Sequence, residues 1–304
     1  MYKNIIKLLS ALIILLFIGI IYLSTIGIKT SKFNGLILNK IKQVDPRLNV
    51  ELKEVSLLLD LKAKQIVTKT KDTNLYIQDN KFELSEINLN IDINSFLEQK
   101  YKINNLKIIT KKNKIKNFLN FINLYKFNLS TVLLENRIKK GFIKSNISLV
   151  FDEKNGSIKY YNVKGAINNG KIKLLNNKYL EKINFDFNKI DKEYVFKNVE
   201  FEYEKIRINS EKIKTIKKDK EYIVEGDLVN KKQIIKKQFF SNLVGFDLKD
   251  LIRDELIIET NNNFKFTIDN KRKIKKLKIK SNLKYEKLIL NYNSEIVKNY
   301  FKDY

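Results

Sequence analysis

The chain has 304 residues, with 60 Lys and Arg against 34 Asp and Glu for a formal charge of +26, and 43% of it is hydrophobic, enough for one large domain or two small ones. It contains no cysteine, histidine or tryptophan, which excludes disulfides, thiolate chemistry, Ser-His-Asp and Cys-His catalytic groups and typical zinc sites. Lys, Asn and Ile are heavily used and their codons are A/T-rich, so the positive charge reflects base composition before it reflects a basic partner.

The first predicted element is a transmembrane helix over the uncharged run Leu8 to Ile28. Roughly 21 residues at about 1.5 Å each give about 32 Å, against a hydrocarbon core of about 30 Å. Leu8, Leu12, Leu15, Ile18 and Ile21 are its anchor residues, and Tyr22 sits where an amphipathic ring meets the interface. Lys3 and Lys7 in front of the run also suit a signal peptide, but the apolar stretch is too long and no A-x-A-like cleavage site follows it. Lys29 and Lys32 oppose Lys3 and Lys7, so charge leaves the orientation open.

Beyond the anchor (1–30), Phe33, Leu36, Ile37, Ile41 and Val44 form the stripe of a short amphipathic juxtamembrane helix within 31–47, ending before Pro46. From Leu48 the hydrophobic period becomes two, a β signature, and it persists through a β-rich body at 48–304. Ile87, Leu89, Ile91 and Ile93 alternate with Asn88, Asn90, Asp92 and Asn94. Phe185 and Phe187, then Val199, Phe201 and Tyr203, then Phe264, Phe266 and Ile268, and lastly Leu288, Leu290 and Tyr292 repeat the pattern. Turn chemistry at 72–74, 79–80, 153–156, 168–170, 176–177, 219–220 and 261–263 separates the strands by roughly 8 to 15 residues, the rhythm of an antiparallel meander. Helices are expected over Lys114 to Tyr125, within Lys231 to Arg253, and after a Ser294 cap at the C-terminus. No linker rich in Gly, Pro or Ser divides the body. Nothing near Tyr304 reads as a closing strand, as in a chain cut from something longer.

This order of features resembles the AsmA-like proteins, TamB and YhdP types included. The likeness rests on the N-terminal helix, the short helix ending near Val44-Asp45-Pro46, the phrase from Val50 to Leu57, the strand Ile87 to Ile93 running into Asn94-Ser95-Phe96-Leu97, Lys102 to Ile108, and the strand-plus-Gly unit Tyr222 to Leu228. The resemblance implies an inner-membrane anchor, single-pass, and a periplasmic body. That body is a long curved, mostly antiparallel β-sheet with an apolar inner face and few short helices. Its implied role is to carry phospholipid toward the outer membrane.

The mainly β fold makes that role physically coherent. A sheet with one apolar face must bury it against helices, another sheet or something that is not protein, and acyl chains gain about 25 cal/mol per Å² without needing specific side-chain geometry. The candidate lipid groove is Ile87, Leu89, Ile91, Ile93, Phe185, Phe187, Phe201, Phe264 and Phe266. The competing reading is a closed sandwich or barrel whose faces pack on each other. Lys276, Lys278 and Lys280, opposite Leu277 and Ile279, are candidate headgroup contacts, although a charge run is ordinarily a solvated face. Asp247, Asp250 and Asp254 share a helical face that could hold a hard cation, but Lys249 and Arg253 beside them read as a mixed-charge surface. No catalytic residue, metal site or cofactor is expected, and no nucleic-acid motif accompanies the lysines. A second class of function is a structural factor for outer-membrane biogenesis acting through protein contacts. A third is a cytoplasmic-facing basic module binding nucleic acid or anionic membrane.

Overall fold

A computed structural model describes residues 2–31, 34–35, 38–39, 42, 46–53, 55–78, 80–98, 100, 102–125, 129–152, 157–174, 177–219, 221–236, 256–271 and 273–286. The chain is mainly β, with one large antiparallel sheet and few helices. The helices described from end to end are α1 (Tyr2–Thr25), α2 (Ile93–Leu97), α3 (Ile115–Tyr125) and α4 (Leu129–Arg137). The strands are β1 (Ile28–Thr30), β2 (Leu48–Glu51), β3 (Val55–Asp60), β4 (Gln65–Lys71), β5 (Asn74–Ile77), β6 (Asn80–Asp92), β7 (Ile103–Thr110), β8 (Asn113–Lys114), β9 (Ile138–Phe151), β10 (Ile158–Lys173), β11 (Tyr179–Ile190), β12 (Glu193–Tyr203), β13 (Ile206–Lys218), β14 (Glu221–Ile235), β15 (Leu256–Ile268) and β16 (Ile274–Glu286). Their order in the sheet is β1-β3-β4-β6-β7-β9-β10-β11-β12-β13-β14-β15-β16, with β2 on β5, β5 on β6 and β8 on β9. The chain divides into two compact units, Met1–Glu135 with Phe142–Gly165, and Asn136–Gly141 with Ala166–Tyr304.

The expected span from Leu8 to Ile28 needs correction. The helix closes at Thr25, whose hydroxyl donates back to Ile21 O at 2.7 Å. Ile26 N and Gly27 N both donate to Tyr22 O, and Gly27 turns the chain with φ 73°. A Cβ at Gly27 would collide with Leu57 O, so only glycine fits this approach. Ile28 then pairs with Leu57 instead of extending the helix. The helix therefore ends three residues short of the expected Ile28. Among the described residues, no helix is long and apolar enough to cross a membrane.

Of the expected juxtamembrane helix, residues 34–35, 38–39 and 42 are described and helical, and its stripe of Phe33, Leu36, Ile37, Ile41 and Val44 lies outside the described residues. The helix expected at Lys114 to Tyr125 forms as α3. Lys231 to Ile235 belongs to β14, because a bulge between Asn230 and Gln233 carries that strand on to pair Ile235 with Leu256. The rest of that expected helical region, Asp247, Asp250 and Asp254 included, lies outside the described residues, as do Leu288, Leu290, Tyr292 and the helix after Ser294.

Two expected turns lie inside strands. Asn168 to Gly170 is within β10, where Asn169 takes φ 52°. Asn261 to Asn263 runs through β15, paired on both sides. Asn is a turn former because it tolerates left-handed backbone and bonds to nearby peptide groups; a bulge uses the first property, and a polar sheet face accepts the side chain for the second.

Unit 1 shows how the sequence sets the sheet face. Opposed residues share a face, and so do residues two apart. Ile87, Leu89 and Ile91 lie opposite Thr70, Thr68 and Ile66 on one side and Ile108, Leu106 and Ile103 on the other. The register between β6 and β7 slips by one between Leu84 and Glu86. That bulge changes the parity, so Phe82 and Leu84 share the face of Ile87 even though the sequence spacing is odd.

Candidate functional site

The candidate site is an apolar sheet face, present in each unit. In unit 1 one end of that face is sealed. The α3 helix lays Phe118 and Phe121 on Phe82, with ring centroids 5.5 and 5.4 Å apart. Beneath them Ile77 and Leu84 are 0% and 2% exposed, and Val50, Ile115 and Leu119 are buried. This is an ordinary core, fixed by the apolar stripe of α3.

Next to this core runs a row of small hydroxyl side chains. Thr73 donates to Thr70 at 3.0 Å, and Ser145 N donates to the Thr110 hydroxyl at 2.7 Å. All four are buried, and their mutual bonds let polar atoms sit in the apolar face. Past this row, Leu57, Leu59, Ile66, Ile87, Leu89, Leu106, Ile108, Ile147 and Leu149 are half-buried and share one face across five strands. Ile91 is buried beside α2. Ile93 leaves the predicted row: it is the first residue of α2, started by Asp92, whose carboxylate accepts from Ser95 N at 2.9 Å.

In unit 2, Phe185, Phe187, Phe201, Phe264 and Phe266 are half-buried and share a single apolar face. The face is continuous only because the strands bulge. In β12, Tyr194 and Phe196 are at even positions and Val199, Phe201 and Tyr203 at odd ones, and Asn198 between them takes φ 52°. Equivalent slips occur at 181–184 in β11, 209–213 in β13 and 230–233 in β14. Phe187 therefore lies opposite Phe196, and Phe196 opposite Ile213. Phe185 meets Phe196 edge to face at 5.6 Å, and Phe264 stacks on Phe266 at 5.8 Å. Ile206, Ile235, Leu256 and Ile258 form a small buried cluster at one end. Toward β16 the face is open, with Ile274, Leu277, Ile279, Leu283 and Tyr285 all 57–61% exposed.

The bulges leave peptide N–H groups without ladder partners, and neighbouring strands supply side-chain acceptors. Asp227 accepts from Glu211 N at 3.1 Å and Lys212 N at 3.2 Å, and the Ser210 hydroxyl lies 3.4 Å away. Asn169 N donates to Asn184 Oδ1 at 2.8 Å. Asn198 Nδ2 donates to Asp186 at 2.8 Å. The Asp227 and Asn184 acceptors satisfy backbone that the bulges would otherwise leave unpaired, and the Asn198 bond ties the bulged side chain to β11.

The opposite face of unit 2 is polar and charged. Lys182 pairs with Glu202 at 2.8 Å, Arg207 with Glu200 at 3.0 Å and Lys265 with Glu225 at 2.9 Å, and Lys178 pairs with Glu204. Hydrogen bonding and charge from Lys265 hold the Glu225 carboxyl below its ordinary value. Lys278 and Lys280 stand on this polar face, across from Lys265 and Asn263. Lys276 is the bulged residue of β16, with φ 53°. The three predicted headgroup lysines are thus beside the apolar row of β16 but turned away from it.

Of the predicted anchor residues, Leu12, Leu15, Ile18 and Ile21 are 60%, 72%, 62% and 55% exposed, and the side chain of Leu8 lies outside the described residues. Sequence reasoning missed Leu106, Ile108, Ile147 and Leu149 in unit 1 and Phe196 and Ile213 in unit 2. The first four sit in strands with visible alternation, so a face count would have found them. Phe196 and Ile213 are hidden by the parity change at the bulges. No group of His, Cys, Asp or Glu that could hold a metal ion occurs among the described residues. No protein-family model, curated protein or solved structure matches the chain.

Proposed function

We propose that this is an inner-membrane-anchored envelope protein that binds phospholipid acyl chains on the open apolar faces of its sheet and passes them toward the outer membrane, in the manner of the AsmA-like proteins it resembles. The observation that supports this reading is the half-buried apolar face in each unit. In unit 2, among the described residues, no helix lies in the unit beyond the last two residues of α4. Apolar surface left open on that scale calls for a ligand or partner. Acyl chains suit it because it offers Phe, Ile and Leu in rows and no convergent polar groups to fix a compact ligand.

In this proposal α1 is the membrane anchor. Its side chains from Leu9 to Thr25 include no charge, and ten large apolar or aromatic residues there are 49–72% exposed. A helix apolar on all sides needs an apolar surrounding. The helix has 24 residues in all, about 36 Å at about 1.5 Å each, so insertion of its apolar part with Lys3 and Lys7 at the boundary is compatible with its length.

The test uses the two faces of one strand in each unit, β6 and β15. A photo-crosslinking residue is placed at Leu89 or Phe264 on the apolar face, or at Asn88 or Asn263 on the polar face, and adducts formed in cells are identified by mass spectrometry. Phospholipid adducts at the first pair and not the second are expected. Protein adducts at Leu89 and Phe264 with no lipid would favour an assembly factor acting through protein contacts and would sink the lipid reading.

A further inference from the structure

Among the described residues β16 is the terminal strand in the sheet order, and every one of its residues is exposed. One of its faces carries the apolar row Ile274, Leu277, Ile279, Leu283 and Tyr285, and the other carries Lys278, Lys280 and Lys284. Lys284 has Glu259 at 3.7 Å and Lys275 has Asp269 at 3.0 Å. Among the described residues no carboxylate pairs with Lys276, Lys278 or Lys280. Within the unit, basic rows elsewhere lie beside acidic ones: β12 presents Glu200 and Glu202 to Arg207 of β13 and Lys182 of β11.

From this we infer that the outer edge of β16 receives an added strand from a partner protein, one whose residues alternate acidic and apolar. Strand addition uses the backbone groups of an edge for affinity and the alternate side chains for selection. An acidic row would meet Lys278 and Lys280, and an apolar row would extend the face of Leu277 and Ile279. The same lysines disfavour a second copy of this chain, because antiparallel self-pairing sets like charges opposite one another. The inference does not depend on lipid binding, since its contacts are to the strand edge and the polar row.

The test uses the full chain in nanodiscs of neutral lipid. One fluorescent peptide alternates Glu with Val and Tyr, and its counterpart has Lys in place of every Glu. The acidic peptide is expected to bind, with salt-dependent affinity and new amide-exchange protection confined to residues 274–286. Lys278→Glu with Lys280→Glu is expected to weaken it by at least about tenfold, and the milder Lys278→Gln with Lys280→Gln by less, while the circular dichroism of each variant stays that of the parent. Equal binding of both peptides, binding that the variants leave intact, protection elsewhere, or no binding overturns the inference. So does dimerisation through residues 274–286, or capture of anionic vesicles, lost in the variants, without peptide binding.

Discussion

Unit 1 and unit 2 are built from the same alternating strands, yet they treat the apolar face differently. In unit 1 a local helix, α3, seals one end, so Phe82 lies between Phe118 and Phe121 and Leu84 is 2% exposed. In unit 2 the rows from Phe185 to Phe266 stay half-buried and the β16 row is open. Alternation creates a one-sided sheet, and whether that side becomes core or binding surface is decided by what the chain lays over it. Only the uncovered parts are candidates for function, which narrows the candidate surface in unit 1 to the side beyond the Thr70, Thr73, Thr110 and Ser145 row.

The largest expected effect tests that distinction. Leu84→Ala should cost about 3 kcal/mol, as for a fully enclosed leucine that leaves a cavity. Phe266→Ala removes a larger side chain from a half-buried site, where water already reaches part of the surface, and should cost only about 1 kcal/mol, from lost stacking on Phe264 and partial burial. Two units need not unfold together, so the measurement is amide exchange read separately in each. A Phe266→Ala cost equal to that of Leu84→Ala would mean the face of unit 2 is covered after all, and the comparison would fail.

The next effect concerns how unit 2 keeps one face through its bulges. Asp227→Ala strips the acceptors from Glu211 N and Lys212 N and should cost about 1 kcal/mol, the net loss of hydrogen bonds whose exposed donors water can partly satisfy. Asp227→Asn retains one acceptor oxygen and should recover part of it. Exchange should quicken first at residues 209–213. An unchanged rate there would show that the slip in β13 needs no side-chain support.

The strand content and the helix at Lys114 to Tyr125 were legible because their periods of 2 and 3.6 are long and unbroken. So was the one-sided character of Ile87, Leu89 and Ile91. Legibility ended at the bulges. Tyr194 and Phe196 are out of phase with Val199, Phe201 and Tyr203, and a period of two cannot bridge a residue that adds a place to the strand. Asn-rich segments at Asn168 to Gly170 and Asn261 to Asn263 read as turns because composition reports which conformations a residue tolerates, and the pairing partners that decide the matter lie in other strands. The end of α1 was missed because Gly27 stops the helix through a close approach to Leu57, some thirty positions away in sequence. The division into units falls within α4, β9 and β10, so no linker composition marks it.

A smaller effect follows from the same bulges. Lys182 sits at φ 51° in β11, where an L side chain with a Cβ is strained by about 1 to 2 kcal/mol. Lys182→Gly relieves that strain, loses an exposed ion pair with Glu202 that contributes little, and should stabilise unit 2 by about 0.5 kcal/mol. Lys182→Val should destabilise it by about 1 kcal/mol, since a branched Cβ fits this backbone worst. Opposite signs in thermal melts identify a left-handed bulge. The same sign for both would place Lys182 in ordinary extended backbone and remove the explanation for the parity change in β11.

The smallest effect is a pH dependence at one turn of unit 2; unit 1 has its own lowered carboxyls, Glu51 bonded to Asn74 and Tyr76 and Asp72 paired with Lys111, so the effect is read at this turn alone. Asp269, at the turn from β15 to β16, accepts from Lys273 N at 2.9 Å and faces Lys275 at 3.0 Å. The backbone hydrogen bond first, and the lysine second, hold its carboxyl below the ordinary 3.8. Because the folded form binds its proton less readily than the unfolded form, the carboxylate contributes its stabilisation fully above the ordinary value. That contribution is lost as pH falls below 3.8 toward the depressed folded value. Asp269→Asn keeps the shape of the turn without the charge, so its melting temperature should lie below that of the parent at neutral pH and converge on it in acid. A gap that is constant with pH would mean the turn relies on geometry alone, and a gap that widens in acid would mean the carboxyl is raised instead of lowered, with Lys275 turned away from it and the first residues of β16 held by pairing to β15.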